Sequence, residues 1–86
     1  MSQWTVYMVE CSDRTYYTGI TTDLSRRLAE HNGTRKGARY TRTRQPVTLV
    51  YSELQHDRSA AAAREYQLRK LPRAAKQALI HAAASG

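Results

Sequence analysis

One segment of the sequence places two chemically active side chains on a helical face that should be buried. The face has the i, i+3, i+4, i+7 spacing of an amphipathic helix, and its members are Leu24, Arg27, Leu28 and His31. The two leucines direct this face toward a core, so Arg27 and His31 lie on the same stripe or along its edge, whereas Glu30 is predicted to point outward. An arginine near a core requires an anion or a hydrogen-bonded partner. The pattern therefore indicates an anion-binding site, although an arginine that only lays its stem along the core margin gives the same spacing.

A second predicted helix repeats this combination of apolar and ionisable residues. Ala61, Glu65 and Leu68 lie at i, i+4 and i+7, so a carboxylate interrupts an otherwise apolar face. A carboxylate in that position must meet a cation, which here is either Arg27 or a metal ion. The sequence leaves open whether Glu65 belongs to a reactive site or to an internal ion pair with Arg27.

Two tyrosines in predicted strands add groups that can form hydrogen bonds on the sheet. If the hairpin closes symmetrically about Ser12, Tyr7 and Tyr17 lie directly across from each other on one face. A slip of one residue in the register would separate them, and a tyrosine in a strand often serves packing alone. Gly19, two residues after Tyr17, would let another backbone or a ligand approach the sheet.

The chain is strongly basic, and much of the excess charge lies in one stretch. Its 86 residues contain 14 Lys and Arg against 7 Asp and Glu, a formal net charge of +7. Within ten residues that contain no acid, the cations are Arg35, Lys36, Arg39, Arg42 and Arg44. Such a cluster attracts a polyanion and releases its counterions on contact, and arginine binds phosphate oxygens in pairs. We predict a nucleic-acid-binding stretch, in which Tyr40 either stacks on an unpaired base or packs the loop; a solvated basic loop is the alternative.

The elements that must position these residues are readable from periodicity and from helix-capping residues. Predicted strands cover residues 4–9, 16–20 and 47–53, and the stretch from Gly33 to Gln45 is a loop with room for one short helical turn. A first helix, capped by Thr22 or Asp23, runs through His31. A second, capped by Asp57 or Ser59, runs through Leu68, and Pro72 separates it from a third. The order β-β-α-β-α-α predicts a single α+β domain over residues 1–86, with a small three-stranded antiparallel sheet flanked by helices.

Composition narrows the class of protein. Cys11 is the only cysteine, so a disulfide scaffold is excluded and a reducing compartment is favoured. No run of eighteen or more apolar residues is present, and no basic stretch followed by an apolar run opens the sequence. We expect a cytoplasmic protein that does not bind membranes, and either a monomer or a weak homodimer.

Several of these residues together resemble the GIY-YIG nuclease superfamily. The matching segments are Thr5-Val6-Tyr7, Tyr17-Thr18-Gly19 after a ten-residue step, and then Arg27, His31 and Glu65. The superfamily includes homing endonucleases, the incision domain of a DNA-repair subunit and nucleases that cut branched DNA, and the sequence is most similar to its small stand-alone bacterial members. Thr5-Val6-Tyr7 replaces Gly-Ile-Tyr, and no asparagine follows Glu65, where several members carry one late in the domain.

The resemblance implies metal-dependent hydrolysis of a phosphodiester bond by water. In that scheme Glu65 is the protein ligand of a divalent ion, Mg²⁺ or Mn²⁺, and Arg27 holds the scissile phosphate. Tyr7 is the general base or positions the water, and Tyr17 completes the hydrogen-bond network. A free tyrosine has a pKa of about 10, so either Arg27 and the metal stabilise the phenolate or His31 takes the proton. The sequence does not decide between these two routes.

Two functions of different classes follow. The first is an endonuclease acting on DNA, or on RNA, at flaps, branches or single-stranded regions, with the basic stretch gripping the backbone beside the cut. The second is a nucleic-acid-binding module that has kept the fold and has little or no catalytic activity. Glu65 favours the enzyme, because an acid near phosphate weakens binding unless a metal ion intervenes. The absent late asparagine favours the binding module.

Overall fold

A three-stranded sheet with helices on both faces forms the fold. The computed structural model describes residues 3–33 and 38–85. The strands are β1 (Trp4–Glu10), β2 (Tyr16–Thr21) and β3 (Thr48–Gln55). The helices are α1 (Leu24–Gly33), α2 (Arg39–Arg42), α3 (Arg58–Lys70) and α4 (Arg73–Ser85). The predicted α+β class and order are confirmed, and α2 is the short helical turn expected within the basic stretch. In the described ranges no helix is long and apolar enough to cross a membrane.

The central strand β1 carries the core on both of its faces. All pairings are antiparallel and the order is β2-β1-β3. Because side chains alternate along a strand, Tyr7 and Val9 form one core with Leu24 and Leu28 of α1. The alternate residues of β1 form a second core on the other face, whose fully buried members are Val6, Met8, Ala61 and Leu68. The sheet is therefore enclosed between α1 on one side and α3 on the other.

The register of the β1–β2 hairpin differs from the symmetric closure about Ser12. Tyr7 lies opposite Gly19, and Tyr17 lies opposite Val9. The prediction that the two tyrosines are direct cross-strand partners is wrong by two residues. Because a shift of two preserves the face, they still share one side of the sheet as diagonal neighbours, with ring centroids 6.5 Å apart.

The turn explains this shift. The loop spans Cys11 to Thr15 and is closed by a 2.8 Å hydrogen bond from the Cys11 amide to the Thr15 carbonyl. Arg14 adopts a left-handed conformation with φ of 70°, and Asp13 Oδ1 accepts from the Thr15 hydroxyl at 2.6 Å. The hairpin is therefore centred on Asp13, one residue beyond the predicted centre, which moves every cross-strand partner by two.

Aspartates cap the two helices that carry the site. Asp23 Oδ1 accepts from the Arg26 amide at 3.1 Å, and Asp57 Oδ1 accepts from the Ala60 amide at 2.7 Å. These bonds satisfy amides that have no partner within the helix. In each predicted pair of alternative caps, the aspartate is the one that caps.

The end of α1 is joined to the start of β3 by side-chain hydrogen bonds. Asn32 donates through Nδ2 to the Val47 carbonyl at 3.0 Å and accepts from the Val47 amide at 2.7 Å. Gln45 Nε2 donates to the His31 carbonyl at 2.6 Å, and the Gln45–Pro46 peptide bond is cis. These bonds hold the end of α1, and with it His31, at a fixed height over the sheet.

Candidate active site

A buried chain of hydrogen bonds connects β1, α1 and α2. Tyr7 Oη lies 2.7 Å from His31 Nε2, and His31 Nδ1 lies 2.7 Å from Thr41 Oγ1. The Thr41 hydroxyl in turn donates to the Ala38 carbonyl at 3.0 Å. Tyr7, His31 and Thr41 are almost completely shielded from solvent. A network so enclosed fixes the orientation of each member.

The bond from the Thr41 hydroxyl to the Ala38 carbonyl favours one tautomer of His31. When the Thr41 hydroxyl hydrogen goes to the Ala38 carbonyl, the Thr41 oxygen accepts from His31, and His31 then carries its hydrogen on Nδ1. Nε2 is then left with a lone pair and accepts from the Tyr7 hydroxyl. The Ala38 amide also points at Nδ1, but at 3.5 Å that contact is at the limit of a hydrogen bond and yields to the shorter one. His31 is thus arranged to take a proton from Tyr7.

Burial and Arg27 set the charge states of this pair. Burial raises the pKa of Tyr7 to about 12, against the opposing effect of a hydrogen bond from Arg27. Burial also lowers the pKa of His31 below its usual 6.5, and the positive charge of Arg27 lowers it further. Both groups are therefore neutral at pH 7: the Tyr7 hydroxyl keeps its proton, and His31 Nε2 keeps the lone pair that accepts the hydrogen bond.

Arg27 is held by a carboxylate of its own helix. Its Nη1 lies 3.0 Å from Glu30 Oε1, and Glu30 Oε2 lies 3.3 Å from Arg26 Nε. Desolvation acts to lower the pKa of Arg27, but hydrogen bonds to Glu30 and Tyr7 outweigh it and the net shift is upward. The prediction that Glu30 points outward is wrong, since its side chain is only 18% exposed, because two arginines draw it against the helix.

Glu65 lines a cleft at the β2 edge of the sheet. The cleft has a volume of about 320 Å³ and is lined by Tyr16, Tyr17, Thr18, Tyr40, Glu65, Arg69 and Lys76. As predicted, Glu65 interrupts the buried face of α3 between Ala61 and Leu68, and its side chain is 18% exposed. Its ion pair is with Arg69, one turn later in α3, at 3.6 Å.

Tyr17 joins the cleft to the buried chain. Its ring centroid lies 5.3 Å from that of His31 and 6.1 Å from that of Tyr40. The rings of Tyr17 and His31 meet in an edge-to-face arrangement, and Tyr17 also lines the cleft that contains Glu65. The structure brings all five predicted site residues to this region from four elements: Tyr7, Tyr17, Arg27, His31 and Glu65.

The role of Gly19 differs from the one predicted. A Cβ at this position would lie 2.6 Å from Tyr7 Oη and 2.7 Å from Cζ. The group that approaches the sheet at Gly19 is therefore the Tyr7 ring itself. The glycine leaves the space in which the Tyr7 hydroxyl meets His31.

Comparison with known proteins agrees with this geometry. Residues 3–78 match the family described as the GIY-YIG catalytic domain. The chain belongs to that family. Membership implies a nuclease-type domain that acts on nucleic acid, and it confirms the resemblance drawn from the sequence motifs.

The relatives of this GIY-YIG domain are small proteins. The chain is 53% identical over 83 residues to a UPF0213 protein of Desulfotalea psychrophila, covering 96% of this chain and 76% of that protein. It is 57% identical over 75 residues to a UPF0213 protein of Halobacterium salinarum, covering 87% and 96%. The solution NMR structure of a UPF0213 protein from Bacillus halodurans superposes with a TM-score of 0.58 at 39% identity, over 92% of this chain and 83% of that one.

The divalent metal ion expected from the sequence resemblance stays a prediction, and the carboxylate of Glu65 has the donor chemistry to hold one. Among the residues that the structure describes, no three His, Cys, Asp or Glu side chains are grouped as a metal cluster, which disfavours zinc. Magnesium is instead often held by one or two carboxylates, with waters and substrate phosphate completing its shell. The 320 Å³ cleft offers room for such a shell, since a water occupies roughly 30 Å³.

Only part of the predicted basic stretch lies in the described structure. Arg35 and Lys36 fall outside the described residues, whereas Arg39 and Arg42 are exposed on α2. Arg44 is engaged within the protein, since its Nε lies 3.0 Å from Asp13 and its Nη1 donates to the Tyr40 carbonyl at 2.9 Å.

The predicted base-stacking residue Tyr40 is packed between side chains of the GIY-YIG domain. The Arg44 guanidinium lies 4.0 Å from its ring centroid, and its ring is stacked against that of Tyr17. Tyr40 therefore helps to build the wall of the cleft, and stacking of a base on it stays a prediction.

Sequence reasoning missed three contributors to this region. Thr41 gave no signal of its own, because its contact with His31 depends on how residues 38–42 fold back over α1. Arg69 and Lys76 lay outside the acid-free stretch. A search for cations one turn after Glu65 would have found Arg69, whereas Lys76 lies in α4, beyond Pro72, where helical spacing from Glu65 gives no signal.

Proposed function

We propose that this GIY-YIG domain is a metal-dependent endonuclease that hydrolyses phosphodiester bonds in DNA, with RNA as the second candidate substrate and a preference for flapped, branched or single-stranded structures. The observation that carries the proposal is the buried contact of Tyr7 with His31, beside Arg27. Packing alone would not require a tyrosine, a histidine and an arginine to meet in one buried hydrogen-bonded group. A general base next to a phosphate-binding cation does require it.

Tyr7 and His31 form the proton pathway. Attack of water on phosphorus forms one P–O bond, breaks another and releases a proton. Tyr7 accepts that proton as its own hydroxyl hydrogen passes to His31 Nε2 across a hydrogen bond of 2.7 Å between oxygen and nitrogen, so a free phenolate with its high pKa is never formed. Thr41 keeps the acceptor on the correct nitrogen throughout. Of the two routes that the sequence left open, the geometry supports the histidine route.

Arg27 binds the phosphate and couples that binding to the proton transfer. Its raised pKa keeps it charged, and Glu30 retains Arg26 as a partner when Arg27 turns to the substrate. In the unbound protein the charge of Arg27 lowers the pKa of His31. A bound phosphate offsets that charge, so His31 becomes a better proton acceptor when substrate is present.

Glu65 would hold the divalent ion, Mg²⁺ or Mn²⁺. When bound, the ion supplies Lewis-acid stabilisation of charge on the phosphate oxygens. Tyr17, between Glu65 and His31, keeps the two halves of the site at a fixed separation. The oligomeric state and the cytoplasmic location stay predictions of the sequence.

Removal of one hydroxyl group tests the proposal. Tyr7→Phe keeps the ring in the core and deletes the group bonded to His31, so cleavage of a labelled flapped oligonucleotide should fall by about 10²-fold or more. Tyr51→Phe is the matched control, because it deletes a hydroxyl that donates to Glu53 at 2.5 Å on the same sheet, away from the cleft. Equal cleavage by the two variants would overturn the role of Tyr7.

A nucleic-acid-binding module without turnover is the second candidate. Two observations favour it: the Tyr7 pKa near 12 opposes direct formation of a phenolate, and no asparagine follows Glu65 in the chain. The same oligonucleotides separate the two functions. Salt-sensitive binding by the wild type without cutting, in Mg²⁺ and in Mn²⁺, would favour the module.

A further inference from the structure

One wall of the cleft is formed by cations that the motifs do not account for. Arg69 near the end of α3 and Lys76 in α4 both line the cleft beside Glu65. Between them, the Arg73 guanidinium lies 4.8 Å from the ring centroid of Tyr16, another residue of the lining. Arg69, Arg73 and Lys76 are called the α3–α4 rim below.

The rim carries almost unopposed positive charge. Glu65 is the last acidic residue of the chain, so no carboxylate side chain occurs in residues 66–86. The one ion pair described for the rim, Arg69 with Glu65, spans 3.6 Å and leaves the arginine side chain 59% exposed. An exposed pair of this kind constrains the arginine weakly.

The turn between α3 and α4 fixes the backbone of the rim, and a ring contact orders one of its side chains, Arg73. Leu71 is extended and ends α3, and Pro72 accepts hydrogen bonds from the amides of Ala75 and Lys76 at the start of α4. The Tyr16 ring beneath Arg73 limits the rotamers of that long side chain. An arginine ordered in this way loses less entropy when it binds an anion.

We propose that the α3–α4 rim binds backbone phosphates of the nucleic acid next to the one being cut. The inference rests on the proposed function, because it assigns a second contact surface for the same substrate. The favoured ligand is a nucleic-acid strand because Arg69 and Lys76 line a cleft that also holds Glu65 and tyrosine rings. An anionic membrane would require cations on an open face instead.

Binding without divalent ions isolates the rim from catalysis. A fluorescein-labelled flapped DNA is titrated with the full chain in a chelator, for the wild type, Arg73→Gln, Lys76→Gln and the double variant. Removal of one phosphate-binding cation should lower the slope of log K against log salt by about 0.9, which corresponds to roughly eightfold weaker binding near 0.1 M salt. The double variant should weaken binding by roughly the product of the two single effects.

Arg58→Gln is the matched control. It removes the same charge from α3, and Arg58 also lies over an aromatic ring, Trp4, at 5.8 Å. The DNA affinity of Arg58→Gln should therefore show only the effect of the lower net charge. Circular dichroism confirms that each variant is folded, and Lys76→Gln, for which no ring contact is described, keeps the test decisive if Arg73→Gln is unstable.

This experiment distinguishes failure of the rim proposal from failure of the proposed nuclease function. Rim variants that bind like Arg58→Gln, while the wild type binds and cuts, would overturn the rim and leave the nuclease standing. Selective loss of binding in the rim variants supports the rim, even if the wild type cuts nothing. Rim-dependent binding to phosphatidylserine vesicles with no binding to DNA would overturn the proposal in favour of a membrane ligand.

Discussion

Replacement of Gly19 by alanine should displace the Tyr7 hydroxyl from His31. The added Cβ would lie 2.6 Å from Tyr7 Oη, whereas ordinary van der Waals contact begins at 3.4 Å. The ring must therefore move by about 0.8 Å in a core that packs at crystal-like density. Because the ring is nearly fully buried, there is no open solvent into which it can turn.

The cost can be estimated for folding and for catalysis. Overpacking of a core costs about 1–3 kcal/mol. For a domain of this size, a loss of about 2 kcal/mol lowers the melting temperature by roughly 8–16 °C. A shift of about 1 Å in a catalytic group can lower the rate by about 10²-fold, so cleavage should fall further than the folded fraction does.

Gly33→Ala provides the control. Among the described residues, a Cβ at Gly33 meets nothing within 4 Å, and neither glycine has a positive φ. This variant should melt at or slightly above the wild-type temperature and cut at the wild-type rate. The predicted clash at Tyr7 would be refuted if Gly19→Ala matched Gly33→Ala in both thermal denaturation and cleavage of a labelled oligonucleotide.

Three further predictions concern the buried chain and the core. Thr41→Val removes the hydroxyl that bonds to His31 Nδ1, so it should lower kcat by about 10²-fold and shift the acid limb of the pH profile. Thr41→Ser keeps that hydroxyl and should restore both. Equal rates for the two variants would contradict a hydrogen on His31 Nδ1. The acid limb of kcat/KM should lie below the ordinary histidine pKa of about 6.5, because only neutral His31 accepts the proton and its pKa is lowered; an inflection above that value would count against His31 as acceptor. Leu68→Ala should lower the free energy of unfolding in urea by about 2–5 kcal/mol, whereas Leu54→Ala, at a residue 64% exposed, should change it by less than about 0.5 kcal/mol.

Periodicity was sufficient to predict the order of the elements, and it failed where one turn decides the register. The strands follow from runs of β-branched and aromatic residues, and the helices from apolar stripes bounded by Asp23 and Asp57. The hairpin register depends on Arg14 in a left-handed conformation, which is uncommon for a residue with a side chain. Nothing in the local sequence favours it over the symmetric turn.

The sequence singled out five residues that the structure brings to the candidate site, but it indicated neither their contacts nor Thr41. Arg27, His31 and Glu65 stood out because ionisable residues interrupt apolar faces. The bond from Tyr7 to His31 joins residues 24 apart in the chain, and it depends on how α1 packs across the sheet. Glu30 turned inward because Arg26 and Arg27 flank it, an arrangement that helical spacing alone does not distinguish from an exposed glutamate.

The central claim, that the domain is a metal-dependent nuclease acting through Glu65, is tested most directly by one cleavage experiment. Labelled single-stranded, flapped and branched DNA is incubated with the wild type, Glu65→Gln and Asp57→Asn, in Mg²⁺, in Mn²⁺ and in chelator. Asp57→Asn makes the same acid-to-amide change on the same helix and retains a capping side chain. We predict cutting by the wild type and by Asp57→Asn only when an ion is present, and none by Glu65→Gln. Undiminished cutting by Glu65→Gln, or no cutting by the wild type with either ion, would contradict the claim.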